Sequence, residues 1–593
     1  MTLHDEIEIE DMDWSEELQA FTYQCPCGDL FQITLDELAA GEEIAKCPSC
    51  SLYVRVIYDP QDFQQPAGLE ATDAFGSSLG TLDDLDGGWA SGGSGTAPRA
   101  VRLAVGDSDD EMVVMWSSQV AAEQACVQLY VAAPAGEAPQ HTAQLLLGGS
   151  GGSGGGSGTG QRYRYRCGSD GGGWSPWRTF RAKRSAGQVS AEEPAQLLLV
   201  GDMGLYNSRA WPALSADASS GAYDALLHVG DLAYDMAGLQ GRRGAAFLAH
   251  VEPAAVQLPY MVVPGNHEWH ANFSHYRALF AMPRRQRGDN LFYSFELGPL
   301  HVLVYNTEAF FWPDSFGEAE QRAMYEWMES DLQAANANRA QTPWILVAGH
   351  RPMYCVEAHL GRCNAEHEAS RLGIPSVCPH NNPAACRPLH PPGSSSSSSS
   401  FPIEQLFHRY GVDLAVFGHV HDYERYFPAF NLTAYPPENG GSSSSRSSSS
   451  GGSSSSSATI GVSSSSRGGS DGAGSSGRGS GFPGAVGSPV TVWEEPRATV
   501  HVTTGAGGNS EMRVGPDLPP QGPCSDTAPW CAFQSGYAPR GGQSYDFSHS
   551  RLAVYNATHL RWQQYSSSFG RVVDEWWLVR RTPHGPFAAP AAS

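Results

Sequence analysis

The sequence has no long hydrophobic run and carries little positive charge for its size. No stretch reaches the roughly 18 consecutive apolar residues of a membrane span, so no transmembrane helix is predicted. The 37 Lys and Arg residues are outnumbered by 62 Asp and Glu, which gives a formal net charge of −25. This excess of negative charge argues against nucleic acid or an anionic membrane as a direct partner of the whole chain.

The N-terminus also lacks the features of a secretory signal. Its first twenty residues contain eight carboxylates and no Lys or Arg. A signal peptide needs a positively charged start followed by an apolar stretch. We therefore expect no signal peptide in residues 1–20.

The chain, at 593 residues, is too long for one hydrophobic core, and its composition divides it into segments. Residues 1–63 are acidic and contain cysteines, and residues 64–97 read as a Gly-, Ser- and Asp-rich linker. Short alternating apolar runs in 98–186 predict a small antiparallel β domain. Apolar strands that alternate with helical segments predict an α/β domain over 192–585.

Two low-complexity insertions, 393–400 and 439–488, interrupt the α/β region. Their Gly- and Ser-rich composition cannot bury enough apolar surface to offset the cost of ordering the chain. We expect both insertions to be disordered surface loops.

Five apolar runs in the α/β region each end in a glycine followed by a polar residue. They lead into GDMG (201–204), GDLAY (230–234), GNHE (265–268), GH (349–350) and GHVH (418–421). Such runs indicate buried strands, and ligands collect at the carboxyl ends of strands in open α/β sheets. The strands would bring two Asp, one Tyr, one Asn and three His to one edge. This mixture suits two metal ions that share a carboxylate bridge, one with oxygen-rich and one with imidazole-rich ligation.

Each signature alone has a simpler explanation. A Gly-Asp step after a strand is usually a turn, and a lone Gly-His step usually leaves the histidine in a loop. Five signatures in this order, each behind a strand, are very hard to obtain by chance. The pattern therefore predicts one shared site.

The ordered signatures GDMG, GDLAY, GNHE, GHRPMY and GHVHDYER resemble those of the purple acid phosphatases, a branch of the metallophosphoesterases. The resemblance covers about 98–585. It implies a multidomain protein in which 98–186 is a fibronectin III-like β-sandwich. It further implies that 192–585 is an α/β metallophosphoesterase sandwich of two mixed sheets flanked by helices.

The residues after the first aspartate distinguish the branches. Related phosphoesterases, including the protein Ser/Thr phosphatases, have Asp-x-His, whereas here Met203 and Gly204 follow Asp202. Tyr234 could replace the missing histidine with a phenolate, which strongly favours Fe(III) and gives a charge-transfer colour. The alternative, a generic two-metal phosphodiesterase, leaves Tyr234 unexplained.

The resemblance implies seven metal ligands for a pair made of Fe(III) and a divalent ion, which would be Zn, Mn or Fe. Three would hold Fe(III), namely Asp202, Tyr234 and His421. Asp231 would bridge the two ions. Three would hold the divalent ion, namely Asn266, His350 and His419.

The implied reaction is the hydrolysis of phosphate monoesters by a metal-bound hydroxide in an acid phosphatase. His267 would contact the substrate phosphate or protonate the leaving alcohol, the alternative being a histidine that only supports a ligand. His359, nine residues after His350, is a further candidate acid. Asn509 ends a loop in which plant members more often have an acidic residue. We expect altered hydrogen bonding there and no loss of metal.

Four cysteines in the first segment have the spacing of a metal site. Cys25 and Cys27 form C-x-C, and Cys47 and Cys50 form C-x₂-C. Two close pairs of thiolates suit a tetrahedral ion, and a short acidic segment has little core without one. Four unrelated cysteines are the alternative.

The surrounding sequence, including EIEIEDMDW and GEEIAKCPSCSLYVRVIYD, resembles the CSL-type zinc finger of diphthamide biosynthesis over residues 4–63. The resemblance implies a small β-rich four-cysteine module that binds Zn or, in a redox role, Fe. It implies electron donation to the radical enzyme of that pathway and a link to wobble-uridine modification of tRNA. The acidic face would fit a basic protein partner.

The two resemblances imply different compartments. Eight further cysteines and the sequons at Asn272, Asn431 and Asn556 fit a secreted or vacuolar phosphatase. The four-cysteine module needs reduced thiolates, as in the cytosol or nucleus. Three explanations remain: a true fusion, a phosphatase whose signal has been replaced, or two neighbouring genes joined by gene prediction.

Overall fold

The protein is described here from a computed structural model. The residues it describes are 3–9, 12–15, 20–26, 30–34, 38, 43–47, 52–57, 98–107, 111–117, 126–131, 142–146, 160–170, 173–205, 207–283, 289–312, 315–356, 364–377, 387–388, 400–436, 491–509, 530–535, 546–581 and 587. The linker 64–97, the insertion 439–488 and all but the last residue of 393–400 lie outside them. Within the described part, no helix is long and apolar enough to cross a membrane.

The first segment is a six-stranded sheet in the order β1-β6-β5-β4-β3-β2. Its strands are β1 (Leu3–Glu8), β2 (Asp13–Ser15), β3 (Ala20–Gln24), β4 (Leu30–Thr34), β5 (Ile44–Lys46) and β6 (Tyr53–Ile57). Side chains of β4 and β6 alternate between buried and more exposed, which is the strand period of two. The buried residues Phe31, Ile33 and Val54 share one small core with Cys25 and Cys47. The β-rich character expected of this segment is therefore present in the described residues.

The second segment is antiparallel throughout. Its strands are β7 (Arg99–Val105), β8 (Met112–Ser117), β9 (Cys126–Val131), β10 (Thr142–Leu146), β11 (Arg162–Ser169), β12 (Gly173–Trp174) and β13 (Arg178–Arg181). β7 pairs with β8, while the other five form a second sheet centred on β9 and β11. Leu103 of β7, Val114 of β8, Val127 of β9 and Tyr165 of β11 lie in one core. Two small sheets over a shared core agree with the expected β domain.

Polar contacts attach this β domain to the α/β region. Tyr165 donates a hydrogen bond to the carbonyl of Val256 at 3.0 Å. Arg184 forms a salt bridge with Asp224 at 2.6 Å, and both side chains are largely buried. Buried charge pairs of this kind fix the orientation of two packed units because neither partner can be left alone without a large cost.

The α/β region contains two seven-stranded mixed sheets, as expected. The first has the order β16-β15-β14-β29-β30-β31-β26. Its strands are β14 (Ala195–Val200), β15 (Ala225–Val229), β16 (Tyr260–Val263), β26 (Thr491–Glu494), β29 (Ser548–Val554), β30 (His559–Ser566) and β31 (Arg571–Val579). β14, β15 and β16 are parallel, and β29 is antiparallel to β14.

The second sheet has the order β17-β18-β19-β22-β27-β23-β28. Its strands are β17 (Tyr293–Leu297), β18 (Leu300–Val304), β19 (Trp344–Ala348), β22 (Leu414–Phe417), β23 (Tyr423–Tyr426), β27 (Val500–Thr504) and β28 (Cys531–Ser535). Four of them, β18, β19, β22 and β27, run parallel. Two short pairs complete the strands, β20 (Ser376–Val377) with β21 (Arg387–Pro388) and β24 (Ala429–Phe430) with β25 (Thr433–Ala434).

Six α-helices accompany the sheets in the described residues. They are α1 (Trp211–Ser219), α2 (Arg242–Ala255), α3 (His270–Leu279), α4 (Glu318–Ala337), α5 (Asn364–Leu372) and α6 (Ile403–Tyr410). Short 3-10 helices occur at Ala186–Gln188, Gly238–Gly241, Asn266–Glu268 and Thr307–Phe310. α4 begins with Glu318 and Glu320, whose charges favour the positive end of the helix dipole. α6 ends where Gly411 adopts a left-handed conformation with a φ of 65°.

One hydrophobic core joins the two sheets. Leu198 and Val229 of the first sheet belong to the same buried cluster as Val347 and Val416 of the second. The five signature strands are all present but are divided, three in the first sheet and two in the second. The expected single edge is therefore two strand-end edges, one from each sheet, that meet over a common core.

Candidate metal centre

The loops after three of the five signature strands, β14, β15 and β22, contain residues in backbone conformations that side chains with a Cβ rarely accept. Asp202, Asp231, Tyr234 and His419 have φ values of 56°, 51°, 51° and 68°. A non-glycine residue in the left-handed region costs energy and persists only where its surroundings fix it, most often at functional sites. Four of the seven candidate ligands are in this region.

The glycines of the signatures are required by close approach of the loops. A Cβ on Gly265 would lie 2.2 Å from Oδ1 of Asp231, and one on Gly418 would lie 2.5 Å from Oδ2 of Asp202. Real Cβ atoms do not make such contacts. A larger residue at either position would therefore displace an aspartate that the site needs.

One half of the site is rich in nitrogen ligands. Nε2 of His350 lies 3.2 Å from Oδ2 of Asp231 and 3.1 Å from Oδ1 of Asn266. Nδ1 of His350 lies 2.9 Å from the carbonyl of Val229, and a neutral imidazole that donates to this carbonyl keeps its lone pair on Nε2. Asp231, His350 and His419 each offer a donor atom within 4.8 Å of the others. This is a spacing at which one ion could bind all three.

The other half is built around the phenol of Tyr234. Its oxygen lies 2.8 Å from Nε2 of His421 and 3.3 Å from Oδ1 of Asp202. Asn509 donates a 2.7 Å hydrogen bond to the same oxygen and a 3.0 Å bond to the carbonyl of Asp202. We expected the loop that ends at Asn509 to alter the hydrogen bonding around the ligands. In the structure, Asn509 contacts the candidate ligand Tyr234 directly.

The two aspartates are buried next to each other. Burial raises the pKa of Asp202 well above its ordinary value, and the nearby charge of Asp231 raises it further. Burial also acts to raise the pKa of Asp231, but His350 and His267 outweigh it and hold that pKa well below its usual range. A bound cation would offset the cost of ionising two neighbouring buried carboxylates, so this pair is an environment that a cation stabilises.

His267 lies beside this pocket and is largely buried. Its backbone N–H donates to Oδ1 of Asp231 at 3.0 Å, and its Nδ1 lies 3.4 Å from Oδ1 of Asp235. Nε2 is 4.0 Å from Oδ2 of Asp231. Burial acts to raise the pKa of Asp235, but the hydrogen bond and the charge of His267 lower it below its usual range. Asp235 thus orients the imidazole, a role that the sequence pattern did not reveal.

Glu268 is a second residue that the sequence analysis left without a role. Its carboxylate accepts hydrogen bonds from the backbone N–H groups of Asp231, Leu232 and Gly265, at 3.0, 2.9 and 2.9 Å. It ties the loop after β15 to the loop after β16. Burial, together with the charge of Asp231, raises the pKa of Glu268 to about 7. Its position in the GNHE signature could have indicated a role in the site. Its hydrogen-bond partners could not be predicted, because only the fold brings them together.

The remaining predicted site residues are in the core of the first segment or outside the described residues. Cys25 and Cys47 are buried in the core of the first segment. Cys27, Cys50 and His359 lie outside the described residues. In the catalytic part, Cys355 and Cys531 are both disulfide-bonded.

Three parts of the chain match known families. Residues 195–423 match the calcineurin-like phosphoesterase family, and residues 498–575 match the family described as iron/zinc purple acid phosphatase-like protein C. Residues 5–59 match the CSL zinc finger. The two mixed sheets and the cluster at their strand ends thus define the class, a calcineurin-like phosphoesterase.

Comparison with individual relatives shows which branch of this class the chain resembles. Acid phosphatase type 7 of Mus musculus is 34% identical over 418 residues, which are 70% of this chain and 73% of the mouse protein. Diphthamide biosynthesis protein 3 of Drosophila melanogaster is 52% identical over 79 residues, 13% of this chain and 90% of the fly protein. A solved purple acid phosphatase from yellow lupin (Lupinus luteus) shares the fold, with a TM-score of 0.53 and 20% identity over 84% of this chain and 78% of that one.

The chain belongs to the purple acid phosphatase family, and its first segment belongs to the CSL zinc finger family. Both resemblances drawn from the sequence motifs are confirmed.

Proposed function

We propose that this chain is an acid phosphatase that hydrolyses phosphate monoesters at a dinuclear Fe(III)–divalent metal centre. The observation that carries the proposal is the position of the Tyr234 oxygen, 2.8 Å from Nε2 of His421 and 3.3 Å from Oδ1 of Asp202. The mouse relative is named as an acid phosphatase. The generic two-metal alternative gives no reason for a phenol at this place.

The donor set fits two different ions. Asp202, Tyr234 and His421 offer a carboxylate, a phenolate and an imidazole, a set that suits a hard trivalent ion such as Fe(III). Asn266, His350 and His419 offer an amide oxygen and two imidazoles, a set that suits Zn, Mn or Fe(II). Asp231 would bridge the two sets, because its carboxylate is 3.2 Å from Nε2 of His350 and its loop also carries Tyr234.

Bound ions would lower the pKa of water and neutralise charge on the phosphoryl group. The chain itself supplies the remaining tasks. His267 is oriented through Nδ1 by Asp235, and its Nε2 lies 4.0 Å from Oδ2 of Asp231. This Nε2 would donate a hydrogen bond to a phosphate oxygen or a proton to the leaving oxygen. Asn266 adds a ligand without adding negative charge. His359 remains a second proposed acid.

The proposal is tested with the purified full chain and p-nitrophenyl phosphate at acidic pH. We expect iron in the protein, a visible charge-transfer band and phosphatase activity. Tyr234→Phe removes the phenol with little change in shape, so band and activity should both decrease. A colourless Tyr234→Phe protein with full activity would contradict the assignment of the phenolate.

A second activity is favoured by the CSL zinc finger match over residues 5–59. Cys25, Cys27, Cys47 and Cys50 would hold Zn or Fe, and the module would act as an electron donor or scaffold in diphthamide biosynthesis. Its acidic surface would suit a basic protein partner. The full chain should then restore diphthamide in a cell that lacks it, and a chain without residues 1–63 should not. A well-folded, metal-loaded full chain that fails to restore it would contradict this activity.

The domain boundaries follow from the same proposal. Residues 1–63 would be the zinc-finger module, 64–97 a linker, 98–186 the fibronectin III-like domain and 192–585 the catalytic domain. The shared core of the two antiparallel sheets supports the third of these assignments. Sequencing of transcripts across the codons for residues 60–100 would show whether one message encodes both halves.

A further inference from the structure

A buried carboxylate of α5 contacts one of the candidate ligands of the divalent ion. Oε1 of Glu366 lies 2.9 Å from Nε2 of His419. Both oxygen and nitrogen are also close to Arg351, whose Nη1 is in contact with Oε1 of Glu366 and lies 3.2 Å from Nε2 of His419. Glu366 and Arg351 are almost fully buried, at 2% and 5% exposure. Two side chains therefore compete for one nitrogen of His419.

The competition decides which nitrogen of His419 can bind a metal. A neutral imidazole carries one proton, and the nitrogen that holds the proton has no free lone pair. Arginine can only donate, so a bond from Arg351 would need Nε2 unprotonated and Nδ1 protonated. Glutamate can only accept when ionised, so a bond to Glu366 needs the proton on Nε2. Only the second arrangement leaves a lone pair on Nδ1.

We propose that Glu366 is a positioning residue that holds the His419 proton on Nε2 and so presents Nδ1 to the divalent ion. The inference rests on the proposed function, because it assumes an ion at Asp231, His350 and His419. Those three residues each offer a donor atom within 4.8 Å of the others. Metal-bound histidines commonly donate their other ring N–H to a carboxylate or carbonyl, which fixes the tautomer and the ring orientation.

In His350, the neighbouring candidate ligand, the other ring nitrogen contacts an acceptor. The carbonyl of Val229 engages Nδ1 of His350, which leaves Nε2 towards Asp231. The rings of His350 and His419 are 5.1 Å apart and nearly perpendicular, at 72°. A backbone acceptor on one ring and Glu366 on the other thus select opposite tautomers for two ligands of one ion.

Arg351 joins Glu366 to a second buried carboxylate, that of Glu308. Its Nε lies 2.9 and 3.0 Å from the two oxygens of Glu308, on the side away from Glu366. Glu308 and Glu366 therefore both contact the guanidinium of Arg351. Of these two carboxylates, Glu366 is the one that contacts His419. This makes Glu308→Gln a matched control, because it removes a buried charge from Arg351 and leaves the His419 contact in place.

The test uses the purified full chain carrying Cys47→Ser, so that the four-cysteine module contributes no zinc. It measures Zn²⁺ affinity by competition with a chelator, and metal content by mass spectrometry. Glu366→Ala should weaken Zn²⁺ binding about 10- to 100-fold, the usual effect of losing such a supporting group. Glu366→Gln keeps an acceptor oxygen without the charge and should weaken it less. Glu308→Gln should leave Zn²⁺ affinity near that of the parent. The ion at Asp202, Tyr234 and His421 should be retained in all three variants.

Parental Zn²⁺ affinity in a folded Glu366→Ala chain would overturn the inference. If that variant does not fold, Glu366→Gln decides, and parental affinity there has the same meaning. Equal loss of both ions from the folded Glu366 variants would indicate a purely structural role and also overturn it. A parent chain that binds no divalent ion and has no phosphatase activity would instead contradict the proposed function.

Discussion

The proposed chemistry of the site depends on the phenol oxygen of Tyr234, and this oxygen has a further hydrogen-bond partner. Asn509 donates a hydrogen bond to it at 2.7 Å while also holding the carbonyl of Asp202. A donor on a phenolate stabilises negative charge on its oxygen. Asn509 should therefore adjust how much electron density Tyr234 gives to a bound Fe(III).

Asn509→Ala is expected to move the visible charge-transfer band to longer wavelength. Without the hydrogen bond, the phenolate electrons are less stabilised, so their transfer to Fe(III) needs less energy. The band is measured by absorption spectroscopy of the purified protein, with iron content determined on the same sample. Full iron occupancy with an unchanged band position would show that Asn509 does not act on the phenolate.

The candidate ligands could be predicted from the sequence because each lies directly after a strand and a glycine. Their supporting residues could not. Asp235, Glu268 and Glu366 have roles that depend on atoms from other loops, and Glu366 lies 53 positions before its partner His419 along the chain. A local pattern carries no information on such pairs, because the fold alone brings them together.

At the scale of elements, charged side chains tie strands and helices together within the core. His301 of β18 bonds through Nδ1 to Glu296 of β17 and through Nε2 to Asp331 of α4, both at 2.8 Å. Burial acts to lower the pKa of His301, but the hydrogen bonds to Asp331 and Glu296 outweigh it and raise the pKa to about 9. The protonated histidine therefore joins two strands and a helix.

This cluster should make stability depend on pH in a defined window. Because the folded pKa lies above the unfolded value of about 6.5, the contribution is fully present below that pH and is lost as pH rises through about 9. The size is about 3 kcal/mol if the whole shift is expressed. His301→Gln should reduce the melting temperature more at pH 6 than at pH 9.5. An equal reduction at both pH values would contradict a protonated His301.

The two sheets are joined by an ion pair whose arginine is the last residue of the signature GHVHDYER. Arg425 of β23 makes two bonds to Asp574 of β31, at 2.8 and 3.1 Å, and its guanidinium lies 5.0 Å from the ring of Trp493. β23 belongs to the second sheet and β31 to the first. The arginine of the motif therefore supports the fold and does not reach the site.

Arg425→Lys is expected to destabilise the catalytic part by about 2 kcal/mol, the cost of losing a charge-assisted hydrogen bond in a buried place. Lysine keeps the charge but cannot form the paired contacts or stack on the indole. Thermal unfolding of the purified chain measures the effect, with Arg322→Lys on the exposed face of α4 as a control. A melting temperature equal to that of the parent would contradict the role of the pair.

Sequence patterns predicted the positions of strands but not how the strands pair. Apolar runs that end in Gly-polar steps correctly located β14, β15, β16, β19 and β22. They did not show which sheet each strand joins. That β29 pairs with β14 depends on contacts between positions more than 300 residues apart, such as Ala195 and Val554. Register over such distances is set by packing, and no local pattern encodes it.

At the scale of the whole molecule, the two parts of the chain need their cysteines in different oxidation states. Cys355 and Cys531 of the catalytic part are disulfide-bonded. The first segment needs its cysteines as thiolates if it is to hold a metal, and Cys25 and Cys47 lie within its small core. Oxidising and reducing conditions should therefore affect opposite ends of the protein.

Mild treatment of the full chain with hydrogen peroxide should release zinc from the first segment while phosphatase activity persists. Metal-bound thiolates are oxidised readily, whereas disulfides and the oxygen and nitrogen ligands of the other site are not. Treatment with dithiothreitol should leave the zinc of the first segment in place and lower the melting temperature of the catalytic part. The reason is that it breaks the disulfides of Cys355 and Cys531. Zinc release is followed with a chromogenic chelator, and a Cys47→Ser chain is the control that should release none. In a chain whose divalent ion is Zn, which peroxide does not oxidise, joint loss of zinc from the first segment and of activity would mean that the two parts do not respond independently. The first segment would then support the phosphatase, and a true fusion would be the explanation to prefer.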